Sequence, residues 1–363
     1  MRNISTVTRN AKLFISRSQN IYENLAFEEW LLRNFKPEEA DESVFLWSNK
    51  PAVVIGRHQN PWLETDLNYL KHNNIDLARR HSGGGAVYHD LGNLNISILT
   101  SQRRHDRKGN LRKIAELLSK EFHIKVEPNV RDDLLLQPGQ RKISGTAARI
   151  IRGVAYHHLT LLINVDIDIL KRSLSSPFSE KLLTSATRSI RAQAVGYLAQ
   201  DIPRISVEEV QNVLVRSLQD QYLTTDIVTI PNVIADEQFP GVLENLKELK
   251  SWEWIYGRTP QFTLSLYDEQ IQVEHGSITR SLRDQNLIGK RLQDDVMQTY
   301  LGFNVHRFLG INGAKYLADL KAYLSEVPKG YDPKIIVIQT TVVFALFTAL
   351  VYPFYSYLNG VYV

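Results

Sequence analysis

Apolar and polar residues alternate with two different periods along this chain, and the switches between them mark out its elements. Ser43–Trp47 (SVFLW) and Ala52–Ile55 (AVVI) are short, mostly apolar runs separated by Asn49-Lys50-Pro51, which predicts two strands. In Asn93–Thr100 (NLNISILT), Leu94, Ile96 and Ile98 fall on one face of a third strand by period-two alternation. Leu111, Ile114, Leu117, Leu118 and Phe122 recur at helical spacing, and their stripe reads as a core-facing surface. Tyr156–Val165 (YHHLTLLINV) is another apolar strand. The clearest helix is Ser206–Leu223. Ser206 and Glu209 form a capping box there, and Val207, Val210, Leu214, Leu218 and Tyr222 follow on one face. After it, Thr224–Gly241 carries two prolines and little periodicity, which predicts a domain boundary. The pattern is that of an α/β or α+β fold with a mixed sheet, followed by a small C-terminal α+β domain.

The two ends depart from this pattern. No acidic residue precedes Glu23, while Arg2, Arg9, Lys12 and Arg17 are interleaved with serines and threonines. This is the composition of a short mitochondrial presequence, at most residues 1–12, or of a basic first strand beginning near Leu13-Phe14-Ile15. Ile335–Val363 contains no charged residue, and Ile335–Tyr352 is an apolar run ended by Pro353. Roughly 18–20 such residues suffice to span a bilayer, so a membrane segment over 335–352 is the expectation, with a buried element or a detached tail as the alternatives. Lys329 and Lys334 flank it as interfacial anchors would.

Composition narrows the chemistry. With 43% apolar and 23% charged residues over 363 positions, the chain can bury a core. Its 43 basic residues exceed 39 acidic ones by only four, an excess too small and dispersed to imply nucleic-acid binding and compatible with an anionic ligand or an acidic partner. The absence of cysteine excludes thiolate catalysis, disulfides and Cys-ligated zinc.

Candidate chemistry centres on RRHSGGGAVYHDLGN, residues 79–93. Glycine lets backbone N–H groups approach an anion closely, so Gly83-Gly84-Gly85 with basic neighbours suggests phosphate binding. The loop matches neither G-x-x-x-x-G-K-[ST] nor G-x-G-x-x-G, which argues against P-loop and dinucleotide-binding enzymes. Gln140–Ala147 (QRKISGTA) sets Lys142 beside a small-residue turn, where a lysine stabilises developing negative charge. His157 and His158 open a strand and point to opposite faces, so only one can face a site, and Thr160 shares the face of His158.

These segments together resemble the lipoate–protein ligase and lipoyltransferase family. The motifs are RRHSGGGAVYHDLGN (79–93), RDDLLLQPGQRKISGTA (131–147), YHHLTLLIN (156–164) and TSATRSIRA (184–192). VVIGRHQNPW (53–62) and WEWIYGRTPQF (252–262) look most like its animal mitochondrial branch. The resemblance runs from Leu13 to Phe262, thins towards Leu301 and is absent from the tail. It implies a mixed-sheet catalytic domain over 13–235, shared with biotin ligases, and an accessory domain over 242–326. The implied reaction moves a lipoyl group from lipoyl-AMP to a lysine of a lipoyl-carrying protein. Those carriers are the lipoyl domains of 2-oxoacid dehydrogenases and the glycine-cleavage H protein.

Carried onto matching positions, Lys142 becomes the catalytic candidate, holding the phosphoryl and carbonyl oxygens of the anhydride. Arg80, Ser82, Gly83, Gly84 and Gly85 become the adenylate loop, with Ala86, Val87 and Tyr88 lining the pockets. Arg131, Asp133 and Thr160 match positions near the adenylate, Thr187 closes over it, and His158 is a lipoyl-pocket candidate. No metal site is implied for transfer itself; ATP and Mg²⁺ enter only if the chain is a complete ligase. A non-catalytic lipoyl-binding or membrane-tethered scaffold is the reading of a different class. Cysteine-dependent octanoyltransferases and biotin ligases with a G-R-G-R loop are disfavoured. Two departures stand out: His81 sits where bacterial members carry a third arginine, and Asp132 adds an acid beside Asp133. A mitochondrial monomer is expected.

Overall fold

The computed structural model describes residues 10–292, apart from 38–39, 223, 232–234, 236, 267–268 and 283–284. Along the chain run β1 (Asn10–Ser16), α1 (Ile21–Asn34), β2 (Glu42–Trp47), β3 (Ala52–Ile55), α2 (Pro61–Glu64), α3 (Leu67–His72), β4 (Asp76–Arg79) and β5 (Val87–His89). They continue as β6 (Asn93–Ser101), α4 (Arg107–Phe122), β7 (Lys125–Pro128), β8 (Leu134–Gln137), β9 (Arg141–Lys142), β10 (Ser144–Ile151), β11 (Val154–Leu162) and α5 (Ile167–Ser173). The remainder is β12 (Leu182–Thr184), α6 (Val207–Gln221), β13 (Thr224–Ile230), α7 (Val242–Lys250), α8 (Trp252–Ile255), β14 (Phe262–Leu266), β15 (Glu269–Glu274) and β16 (Ser277–Ser281).

The main sheet has the order β10-β11-β6-β2-β1-β13. β1 pairs parallel with both β2 and β13, whereas β2–β6, β6–β11 and β10–β11 are antiparallel, so the sheet is mixed as expected. Period-two alternation sends successive side chains to two cores. Leu13, Val44, Leu46, Leu94, Ile96 and Ile98 meet Leu111, Ile114 and Leu118 of α4 and Val210 and Leu214 of α6 on one face. Phe14, Phe45, Trp47 and Leu99 meet Leu25, Phe27 and Leu31 of α1 on the other. Both predicted helical stripes therefore face the core, and Ser206 caps α6 by accepting from Glu209 N at 3.1 Å.

The boundary expected at 224–241 is instead structural. Thr224–Ile230 adds β13 to the sheet edge, in parallel register with β1 from Asn10↔Thr224 to Ser16↔Ile230. The chain then returns to α1. Phe239 packs on Phe27 and Trp30, Trp30 Nε1 donates to Pro240 O at 3.0 Å, and α7 follows. All described residues belong to one compact unit, Met1–Asp294. Residues 10–12, inside the presequence expectation, lie in β1. The candidate membrane segment, residues 1–9 and the accessory region past 292 lie outside the described residues. Among the described residues no helix is long and apolar enough to cross a membrane.

A second, three-stranded sheet, β4-β3-β5, carries the glycine loop. Arg79 anchors it. Fully buried, it donates to the carbonyls of Arg57 (3.0 Å), Gln59 (2.7 Å) and Ile255 (2.9 and 2.6 Å) and to Thr259 Oγ1 (2.9 Å). One guanidinium thereby ties the 56–59 loop to the end of α8.

Candidate active site

The loop between β4 and β5 is built from within by Arg80. Its Nε donates to Ser82 Oγ (2.9 Å), Nη1 to Val54 O (3.0 Å), and Nη2 to Gly83 O (2.6 Å) and Gly85 O (2.7 Å). Burial pulls this guanidinium down to about 10, which leaves it charged at neutral pH. Gly84 adopts φ 87°, the left-handed region open to glycine. Arg80 thus shapes the loop from within.

The loop borders a cavity of about 320 Å³. Apolar Leu25, Trp47, Val54 and Val87 line it, together with His89, Asn95 and His158. Arg107, Arg131, Lys142, Arg188 and Asp133 line it as well, with Thr146 and Thr160. Lys142 Nζ lies 2.6 Å from Asp133 Oδ1, and its backbone is fixed by Lys142 N donating to Ala194 O (2.9 Å). Thr160 Oγ1 accepts from Gly145 N at 2.8 Å.

Asp132 does not stand free beside Asp133. Its carboxylate pairs with Arg107 Nη2 at 3.0 Å, and the same Nη2 donates to Thr146 Oγ1 (3.2 Å). Both acids therefore hold a cation, and among the described residues no cluster of three metal-ligating side chains forms.

The TSATRSIRA segment forms the lip, where Thr187, Arg188, Ser189 and Ile190 line the cavity. Ser189 Oγ accepts from Ala86 N (2.7 Å) and Gln59 Nε2 (3.0 Å), while Ser189 N donates to Glu64 Oε1 (2.9 Å). Arg191 completes the clamp on Glu64 Oε2 at 3.1 Å.

Of the residues expected at the site, Arg80, Gly84, Gly85, Ala86, Val87, Arg131, Asp133, Lys142, His158, Thr160 and Thr187 line this cavity. Ser82, Gly83 and Tyr88 do not. Tyr88 lies between Val87 and His89 on β5, so alternation turns it into the core with Val53 and Leu77. Ser82 is buried behind the loop, where its hydroxyl meets Arg80 and His158 Nε2 (3.0 Å). Gly83 contributes its carbonyl to Arg80.

Behind the cavity runs a chain of polar contacts. His158 Nδ1–H donates to Glu28 Oε1 (3.0 Å), which also accepts from Ser97 Oγ (2.5 Å), and Ser97 accepts from Trp47 Nε1 (3.1 Å). Burial alone would raise the Glu28 carboxyl, but the His158 charge and the hydrogen bonds from His158 and Ser97 hold it below its ordinary value. Ser82, His158 and Glu28 have the order of a nucleophilic triad. Yet Ser82 lies outside the cavity lining and is engaged by Arg80, so these contacts orient His158 rather than activate a serine.

His157 turns to the opposite face, as strand geometry requires, with Asn110 Nδ2 3.3 Å from its Nδ1. His81 also faces away from the cavity, packing 4.5 Å from the Trp254 ring between Glu29 and Glu248.

His89 and His157 predict an acid sensitivity. Burial, then the charges of Arg80 and His158, brings His89 down to about 3; burial, then Arg107 and His158, does the same for His157. Unfolded, each binds a proton near pH ~6.5. The unfolded state thus carries more protons between those values, so stability falls as pH drops, by about 1.4 kcal/mol per pH unit for each histidine. The urea midpoint should fall steadily from about pH 6.5 to 5; a flat profile there contradicts neutral burial.

Apolar walls and a set of cations around one glycine-bordered cavity suit a ligand that joins an apolar chain to an anionic group. Residues 20–219 match the lipoyl protein ligase A/B catalytic domain, and the chain belongs to that family. It is 42% identical over 250 residues to the lipoyl amidotransferase LIPT1, mitochondrial, of Mus musculus, covering 69% of this chain and 66% of that protein, just under two thirds of its length. It is 38% identical over 277 residues to lipoate-protein ligase A of Bdellovibrio bacteriovorus, covering 74% and 80%. Among solved structures, the bi-partite lipoate protein ligase of Thermoplasma acidophilum, described with its E2 lipoyl domain, matches with TM-score 0.56 and 27% identity over 68% of this chain and 96% of that one.

Sequence reasoning missed Trp47, His89, Asn95 and Arg107 as cavity residues. For His89 the signal was available, since it shares the face of Val87 on β5.

Proposed function

We propose that this chain transfers a lipoyl group from lipoyl-AMP to a lysine of a lipoyl-carrying protein. The observation that carries this reading is the cavity itself, whose lining joins apolar Leu25, Trp47, Val54 and Val87 to a set of cations that includes Lys142, 2.6 Å from Asp133. The apolar walls take the acyl chain, and the cations take the adenylate phosphate. Lys142 leaves Asp133 for the anhydride oxygens and stabilises the negative charge that develops as the acceptor amine attacks the carbonyl. The new C–N bond forms, the carbonyl C–O bond breaks, AMP departs with its electron pair, and the amine proton passes to solvent. The anhydride is already activated, so no enzyme nucleophile is required.

The acceptors fitting this reading are lipoyl domains of 2-oxoacid dehydrogenase complexes and the glycine-cleavage H protein, and the compartment is the mitochondrial matrix. The names of the mouse relative and of the Thermoplasma structure support this assignment. Exposed Val130 and Ile190 flank Arg131 and Arg188, an apolar and basic rim suited to an acidic acceptor domain.

A complete ligase is the second reading, favoured by coverage of 80% of a relative named lipoate-protein ligase A. Intact mass of an apo lipoyl domain separates the two, with lipoyl-AMP as donor in one reaction and lipoate plus Mg-ATP in the other. Modification by lipoyl-AMP alone supports the transferase, and modification in both supports the ligase. No mass shift in either removes the catalytic reading.

A further inference from the structure

The basic excess of this chain, which composition presents as dispersed, is concentrated in one segment. Residues 101–113 (SQRRHDRKGNLRK) carry six arginines and lysines against one acid, Asp106, a net of +5 where the whole chain carries +4. The rest of the molecule is therefore marginally acidic.

The fold spreads these cations over an open surface. β6 ends at Ser101, a single 3₁₀ turn follows at Gln102–Arg104, and α4 begins at Arg107. Gln102 N donates to Gly153 O (2.7 Å), which ties the turn to the β10–β11 hairpin, and Asp106 caps α4 by accepting from Gly109 N (2.9 Å). Two of the six cations are neutralised in place, Arg104 by Asp41 and Arg107 by Asp132. Leu111, Ile114 and Leu118 turn one stripe of α4 into the core, so Lys108, Arg112 and Lys113 are left exposed, as is Arg103 in the turn.

This surface is continuous with the cavity. Arg107 lines the cavity, and its partner Asp132 sits beside Arg131, another lining residue, which follows Val130, 95% exposed. An acceptor lysine has to reach an anhydride held among Arg107, Arg131, Lys142 and Arg188, cations that repel it. A carrier whose lysine is surrounded by carboxylates offsets that repulsion, and exposed cations beyond the mouth extend the attraction over its face. Residues 101–113 hold no Phe, Tyr or Trp on which nucleic-acid bases could stack, and no exposed large apolar side chain that would enter a bilayer.

We propose that Arg103, Lys108, Arg112 and Lys113 form a docking ridge for the acceptor, a folded domain whose face around its lysine is acidic. This rests on the transferase reading and deepens it by naming the surface that draws the acceptor in. Contacts of this kind act on encounter. They raise the association rate, weaken as salt screens them over about 10 Å at about 0.1 M, and leave the chemical step alone.

The test is a triple variant, Arg103→Gln/Lys108→Gln/Arg112→Gln, in which glutamine keeps the helix and removes the charge. With an apo lipoyl domain as acceptor, KM for that domain should rise about tenfold and lose much of its dependence on salt, while kcat and KM for lipoyl-AMP stay within about twofold. A control with the same loss of charge at exposed positions elsewhere, Lys50→Gln/Arg204→Gln/Arg280→Gln, should keep the parent KM. An unchanged KM in the ridge variant, or an equal rise in the control, overturns the proposal. So does a ridge variant that loses binding to vesicles of phosphatidylcholine and phosphatidylglycerol while acting on the lipoyl domain as the parent does, because the ridge then serves a membrane surface. Binding is also read without turnover, by titrating a ¹⁵N-labelled apo lipoyl domain with each protein. Should the parent transfer nothing, the transferase reading falls by itself. The docking ridge then stands if the parent shifts the resonances of the domain and the ridge variant does not, and it falls if both or neither do.

Discussion

Lys142→Met should lower kcat for transfer from lipoyl-AMP by about 10²–10³, the usual cost of removing one donor to a developing oxyanion. Thermal stability should fall modestly, because the Lys142 side chain is 23% exposed but its partner Asp133 is buried and loses a cation 2.6 Å away. Leaving a buried acceptor short of a partner costs about 1–3 kcal/mol. Asp133 keeps the N–H of its own backbone bonded to Asn129 Oδ1 (2.9 Å), so the turn that presents it stays in place. The methionine preserves the length and apolar stem of the lysine, which removes the charge without opening space. The variant also separates an enzyme from a scaffold. A scaffold would bind its carrier domain equally well with either residue and would catalyse nothing to begin with. Single-turnover transfer, read by intact mass, decides the matter. Transfer within about threefold of the parent would remove Lys142 from the chemistry, since an oxyanion donor is worth far more.

The parts of this fold legible in the sequence are those whose burial is uniform. β2, β3, β6 and β11 are buried along nearly their whole length and read as apolar runs or alternations. α4 and α6 each bury a narrow stripe and leave a charged face outside, so helical spacing exposes them. α1 escapes the same reading because its buried face carries Asn24, Glu28 and Glu29 among its apolar residues. One of those polar groups reaches the site, where Glu28 accepts from His158, while Asn24 holds Asn49 and Glu29 pairs with Arg33 and Arg149. A helix whose core face is partly polar looks featureless to a hydrophobic period. β13 escapes for another reason. Among the described residues its sheet partner is β1, more than 200 residues earlier, and nothing local in TTDIVTI records that pairing. At the site, contiguous motifs disclosed the glycine loop, Lys142, Asp133 and the 184–192 lip. The apolar lining is assembled from single residues on four separate elements, α1, β2, β3 and β5, and no local window contains it. Tyr88 was included by proximity in the motif and is excluded by strand alternation.

Gly56→Ala should damage the site more than a substitution within the glycine triplet itself. Gly56 follows β3 and is not in the loop, but an alanine Cβ there would lie 2.2 Å from Gly84 O and 3.1 Å from the carbonyl carbons of Gly83 and Gly84. Every one of those atoms is backbone, so no side chain can rotate aside. Nor can Gly56 retreat easily: its N–H donates to Gln59 Oε1 (2.8 Å) and its carbonyl accepts from Arg79 (3.3 Å). The glycine loop must therefore move against the grip of Arg80, at a cost of about 1–3 kcal/mol in stability. The larger effect is on catalysis, because a shift of about 1 Å in groups that position a reactant can cost about 10²-fold. Gly83→Ala is the control. A Cβ at Gly83 meets nothing within 4 Å, and Gly83 is not among the glycines with positive φ. It should keep kcat/KM within about threefold of the parent, as surface changes without strain generally do. Steady-state kinetics with lipoyl-AMP and a melting curve for each variant test the pair. Parent-like kinetics in Gly56→Ala would mean that the loop tolerates displacement and that its close seat on β3 does not set the reaction geometry. The opposite ranking, with Gly83→Ala the worse, would assign the decisive role to the open face of the triplet.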